Sequence, residues 1–293
     1  MLNALIVCRF LHFAATMLLF GASAFVWALA PADELADRLS GPIKSMNALA
    51  IVVAAATALA WLGLEAGQMG EGWSDSLNLQ VLCDVLNDTA FGRVWLWRIG
   101  LAFVLLCILA LRQHGRWWLV AATAALLLAS LGLVGHATMQ SGTIGIVHRL
   151  NHCVHLLLAG AWLGGLAPFI LCLRQGRDLR LRPDVGTALR RFSGIGHFVV
   201  ALIVATGVVN TMLTLGGWPI DFSSPYQALL AAKIMIVASM IAIALFNRYV
   251  LTPRLKLNDD AALTALTVNS AVELALGTGV LALVSAFGLF APV

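Results

Sequence analysis

The chain has 293 residues, 61% hydrophobic and 11% charged, with a mean hydropathy of +0.93 and a formal net charge of +4. A water-soluble domain carries about a quarter charged residues, so this composition excludes one and predicts a membrane protein. The positive balance sits in short links facing lipid headgroups, and none is long enough for a nucleic-acid-binding domain, so no nucleic-acid partner is expected.

Eight apolar runs follow in chain order, at about 3–30, 43–65, 93–111, 116–137, 148–173, 192–215, 226–250 and 264–290. Each is near the length of helix that crosses a hydrocarbon core about 30 Å thick. Runs such as LVAATAALLLASLGLVG are apolar all round, which predicts helices rather than the alternating strands of a membrane barrel. The expected fold class is therefore all-α, a polytopic bundle of eight transmembrane helices forming one membrane domain over residues 1–293. Ala28-Leu29-Ala30 resembles a signal-peptide cleavage site, but removing the first run would turn the arginine-rich link outward, so that run is read as a span. The link at 66–92 contains LNLQVLCDVLND, where Leu79, Leu82 and Leu86 recur at helical spacing. It is expected to be a periplasmic loop carrying a short amphipathic interfacial helix.

Lys and Arg stay preferentially in cytoplasmic loops. Arg174, Arg177, Arg180, Arg182, Arg190 and Arg191 lie between the fifth and sixth runs, and Arg248, Arg254 and Lys256 lie between the seventh and eighth. Alternation adds Arg38, Lys44, Arg112 and Arg116 to the same side and leaves Arg93 and Arg149 opposite. Both termini are thus expected to be periplasmic. The five cysteines form no C-x-x-C motif and predict no disulfide framework.

The chemistry is concentrated in histidine. His148, His152 and His155 open the fifth run, and steps of four and seven residues put all three on one helix face within about 60° of arc. His136 lies just before them, and His12 lies about 15 Å deep in the first run. Five imidazoles in one half of a bundle predict a metal site, because ionisable groups in hydrocarbon are costly and neutral imidazole is a common ligand for copper or zinc. His148 and His155 are about 10 Å apart along the axis, so one ion cannot take all three, and a ladder of sites would suit transport. Thioether from Met139 or Met212 would favour Cu(I), and a histidine-only site Cu(II). The alternative is haem b held by two axial histidines, His12 with His155 or His136, in an electron-transfer protein or cupric reductase. Arg98, Lys233 and Glu273 also fall inside runs. Lys233 and Glu273 are read either as an ion pair or as a charge relay through Glu273.

Several segments resemble one family: RFLHFAATMLLFGASAF, TAFGRVWLWR, GHA at 135–137, HLLLAGAWLGGL at 155–166, RRFS, YQALLAAKIMIV with NRYVLTP, and ELALG at 273–277. In order and spacing the chain resembles the CopD copper-resistance family along nearly its whole length, departing at Tyr226-Gln227 where family motifs often read YG. The resemblance implies copper handling at the bacterial inner membrane, uptake from periplasm to cytoplasm, and a periplasmic copper chaperone as partner. It touches His12, His136, His155, Lys233 and Glu273, whereas His148 and His152 rest on helix geometry alone. A transporter rather than an enzyme is expected, and the sequence carries no P-loop to drive it.

Overall fold

The computed structural model describes residues 1–29, 33–113, 115–255 and 259–292. The expectations that involve Ala30 and Lys256 lie outside the described residues. In chain order the helices are α1 (Leu2–Leu29), α2 (Asp33–Met69), α3 (Leu79–Asp88), α4 (Ala90–Ala110), α5 (Trp117–Ala129), α6 (Gly142–Gln175), α7 (Arg182–Leu215), α8 (Pro225–Phe246), a single turn α9 (Thr252–Arg254) and α10 (Asp260–Phe287). There is no strand among the described residues. Seven helices are long and apolar enough to cross a membrane, and Trp117–Leu133 forms a shorter apolar segment. The chain is a multi-pass helical membrane protein.

That short segment departs from the sequence expectation of a continuous helix to residue 137. The α-helix stops at Ala129 and continues as two 3-10 turns, Ser130–Leu133 and Gly135–Thr138. Gly132 shows why: a Cβ there would lie 2.6 Å from Cys153 Sγ and 2.9 Å from the Cys153 backbone nitrogen, so the turn is pressed directly onto α6. Other helices outrun their apolar stretches. α7 begins at Arg182 rather than 192, with Pro183 in its first turn where no N–H is needed.

The centre of the bundle is the crossing of α1 and α6. A Cβ on Gly21 would lie 2.4 Å from the Gly160 carbonyl oxygen, and one on Gly164 would lie 1.9 Å from that of Met17. Only glycine permits this approach, and close van der Waals packing through small residues is what associates helices in lipid. Around the crossing, Phe25, Phe169 and Phe192 pack edge-on and stacked.

Both termini lie at one end of the bundle, where Arg9 donates to the Gly288 carbonyl at 3.4 Å and His136 to that of Phe290 at 3.1 Å. We call this the terminal end. The arginine-rich links gather at the other, where Arg182 bonds Asp260 at 2.5 Å. α3 forms where the amphipathic segment predicts, capped by the Asn78 side chain accepting from the Gln80 N–H. It buries Val85 and packs Leu82 and Leu86 on the bundle, leaving Leu79 78% exposed. On the far side α7 packs on α6 and α8 on α10, which leaves a seam between α7 and α8.

Candidate metal site

The polar residues of α6 and α7 face one another toward the terminal end. Asn151 and His155 sit one turn apart on α6, and Thr206 and Asn210 one turn apart on α7, so four polar side chains meet across otherwise apolar helices. Asn151 donates its amide to Asn210 Oδ1 and to the Thr206 carbonyl, each at 2.9 Å. This turns the Asn210 amide nitrogen toward His152 Nδ1, 3.3 Å away. The Thr206 hydroxyl donates to the Leu202 carbonyl at 2.6 Å and so accepts from His155 Nδ1 at 2.9 Å. Gly207 packs beside that ring, where a Cβ would come into ordinary contact, 3.4 Å from His155 Cε1. The His152 and His155 rings are nearly parallel, 6.4 Å apart.

Nearer the terminal end, His148 Nδ1 donates to Gln140 Oε1 at 2.6 Å, and Gln140 donates onward to the Leu213 carbonyl at 2.5 Å. His136 donates through Nε2 to the Phe290 carbonyl, with its ring edge-on to Tyr226. The acceptors assign the tautomers: His148 and His155 keep the Nε2 lone pair, and His136 keeps that of Nδ1. A ring whose one N–H is fixed by a carbonyl, amide or hydroxyl oxygen, with the other nitrogen left as acceptor, is the arrangement metal-binding histidines use. His136 lies in the turn outside the helices. Burial lowers its pKa from the ordinary 6.5, against the Phe290 hydrogen bond and with the Arg9 charge, so it is neutral at pH 7.

His12 stands apart. Its Nδ1 donates to Thr57 Oγ1 at 2.8 Å, because that hydroxyl is itself spent on the Val53 carbonyl, and its Nε2 accepts from the Arg98 guanidinium. Both ring nitrogens are engaged by protein. Arg98 is fully buried, donates also to the Leu127 carbonyl and Ser130 Oγ, and lies over the Trp95 ring. The bis-histidine haem pairing of His12 with His155 or His136 does not fit this arrangement, since the His12 lone pair already faces a guanidinium.

Among the described residues no three His, Cys, Asp or Glu side chains stand close enough together to hold one metal ion. The structure thus lines His148, His152 and His155 along α6 beside α7, sets His136 against Phe290 and Tyr226 at the terminal end, and does not close them into a single cage. Lys233 and Glu273 are not joined either. Glu273 Oε1 accepts from Asn247 Nδ2 at 2.8 Å, while the ion pairs among the described residues are Arg38–Glu34 and Arg182–Asp260. Sequence reasoning passed over Gln140, Asn151, Thr206 and Asn210. Asn151, Thr206 and Asn210 were signalled by polar residues at i,i+4 on two apolar helices, whereas Gln140, in the turn before α6, carried no such signal.

Comparison with known proteins supplies the family. Residues 1–146 match the family model described as copper resistance protein D-like, N-terminal domain, and residues 186–287 match copper resistance protein D. The chain is 36% identical over 289 residues to inner membrane protein YebZ of Escherichia coli, covering 98% of each. It is 26% identical over 291 residues to copper resistance protein D of Pseudomonas syringae pv. tomato, covering 95% of this chain and 93% of that one. Over 190 residues it is 30% identical to copper transport protein CutJ of Bacillus subtilis, 59% of this chain and 33% of that one. No solved structure matches. With two family models and a full-length relative agreeing with the resemblance of its motifs, the chain belongs to the copper resistance protein D family.

Proposed function

We propose that this protein carries copper across the bacterial inner membrane, from periplasm to cytoplasm, along the cleft between α6 and α7. In this reading eight crossings run with both termini and the histidine row at the periplasmic face and the arginine-rich links in the cytoplasm, which the charge rule supports. We count α5 with its 3-10 turn, an apolar segment over Trp117–Leu133, as the eighth crossing. The names of the full-length relatives, an inner membrane protein and a copper resistance protein, support this reading.

One observation carries it: three imidazoles along the row each have one N–H fixed by a protein acceptor and the other nitrogen unspent. Copper enters at His136 and His148 and passes to His155, with His152 joining when the Asn210 amide turns away from its Nδ1. Pairs of imidazoles suit passage better than a closed cage, because cargo must leave each site. His12 acts at one remove, as the acceptor that settles Arg98. The exposed Trp73, Leu77 and Leu79 at the terminal end offer a periplasmic copper chaperone an apolar contact.

The test is copper uptake into proteoliposomes. His148→Ala and His155→Ala are each expected to lower the initial rate at least tenfold with the amount of folded protein unchanged. Wild-type rates in both variants would overturn the proposal.

A further inference from the structure

Below the histidine row, toward the arginine-rich end, α6, α7, α8 and α10 enclose a second feature, a cavity of about 230 Å³. That is space for about eight water molecules at roughly 30 Å³ each, enough for one substituted six-membered ring. Its body is apolar and aromatic, walled by Trp162 and by Phe169 and Phe192, whose rings stack 4.5 Å apart. Polar groups line it from two sides. On one stand Glu273, 3% exposed, and Asn247, which donates to Glu273 and accepts from Asn269 at 2.8 Å. On the other stand Ser193, which accepts from Arg248 at 2.9 Å, and His197, bonded to the Tyr249 hydroxyl at 3.1 Å. Asn247 opens a π-helical turn, Asn247–Leu251, a distortion frequent at functional sites. The cavity borders the seam between α7 and α8, flanked by the exposed Phe198, Leu245 and Phe246.

We propose that this cavity binds the headgroup of a membrane quinone. A flat ring lies against the aromatic wall, one carbonyl oxygen accepts from Glu273 in its acid form, and the opposite one accepts from the Arg248 and Ser193 side. The isoprenoid tail leaves through the seam into the bilayer. A lipid acyl chain fits the volume but makes no use of the polar groups of Glu273, Ser193 and Arg248 that line it. The inference is independent of the copper row.

The test is binding of decylubiquinone to the purified full-length protein, free of copper, by native mass spectrometry and equilibrium dialysis. One saturable equivalent is expected. Ala201→Trp, which fills the cavity, should weaken binding at least tenfold, as should Glu273→Leu, which removes the donor, while Ser239→Trp on the exposed face of α8 should not. Ser193→Ala serves if the tryptophan variant does not fold. Absence of saturable binding, unchanged affinity in both cavity variants, or equal displacement by oleate would overturn the proposal.

Discussion

Replacing Thr206 with valine removes a hydroxyl and nothing else of the cleft's shape. In the native arrangement that oxygen accepts from His155 Nδ1 at 2.9 Å and donates to the Leu202 carbonyl, which fixes both the tautomer and the plane of the ring. The two consequences differ in size. Side-chain hydrogen bonds between membrane helices contribute about 0.6 kcal/mol on average, so the fold should survive. Loss of the group that orients a metal-binding histidine typically lowers metal affinity by about 10–100-fold, which is roughly 1.4–2.7 kcal/mol. Thr211→Val is the control, because its hydroxyl donates to the Gly207 carbonyl at 2.9 Å. Copper affinity, measured by competition with a chromogenic chelator beside thermal denaturation of the same samples, separates the effects. Thr206→Val should bind copper at least tenfold more weakly at nearly unchanged melting temperature. Equal affinities for Thr206→Val, Thr211→Val and wild type would refute the reasoning.

His12→Ala should destabilise by about 1–3 kcal/mol, because it leaves Nη2 of the buried Arg98 guanidinium without its acceptor, yet copper stoichiometry in the surviving folded protein should match wild type. Gly164→Leu should prevent recovery of folded protein, since even a Cβ meets the Met17 carbonyl, whereas Gly194→Ala, with open space around it, should be neutral by size-exclusion profile. Because burial lowers the His136 pKa, its share of copper binding should persist as pH falls through 6.5 and be lost only below; a His136→Ala difference that vanishes above pH 6.5 contradicts this. In a Cys83→Ser background, Asp221→Cys should react with an impermeant maleimide from the periplasm of intact cells, and Asp178→Cys only after permeabilisation.

Helical class and most spans were legible because hydrocarbon thickness imposes a run length that composition alone reveals. α3 was legible for a related reason, its leucines repeating at the period of one helix face. The break at Ser130 was not, because LLLASLGLVG reads as uninterrupted apolar helix until one sees Gly132 pressed onto Cys153. Histidine spacing on α6 placed His148, His152 and His155 on one face. It carried no information on which nitrogen each would keep, since that depends on Gln140, Thr206 and Asn210, eight to 58 positions away. His12 shows the limit from the other side: depth and residue type grouped it with the row, while its partners Thr57 and Arg98 come from α2 and α4. Lys233 and Glu273 carry opposite charge, yet no ion pair joins them among the described residues, and Glu273 lines the cavity instead.

X-ray absorption at the copper edge of the purified, copper-loaded protein tests the central claim most directly. Imidazole coordination predicts a nitrogen shell at about 2.0 Å, with copper content falling by at least half in His152→Ala/His155→Ala. A sulfur shell near 2.3 Å, or a spectrum and copper content unchanged in that double variant, would contradict it.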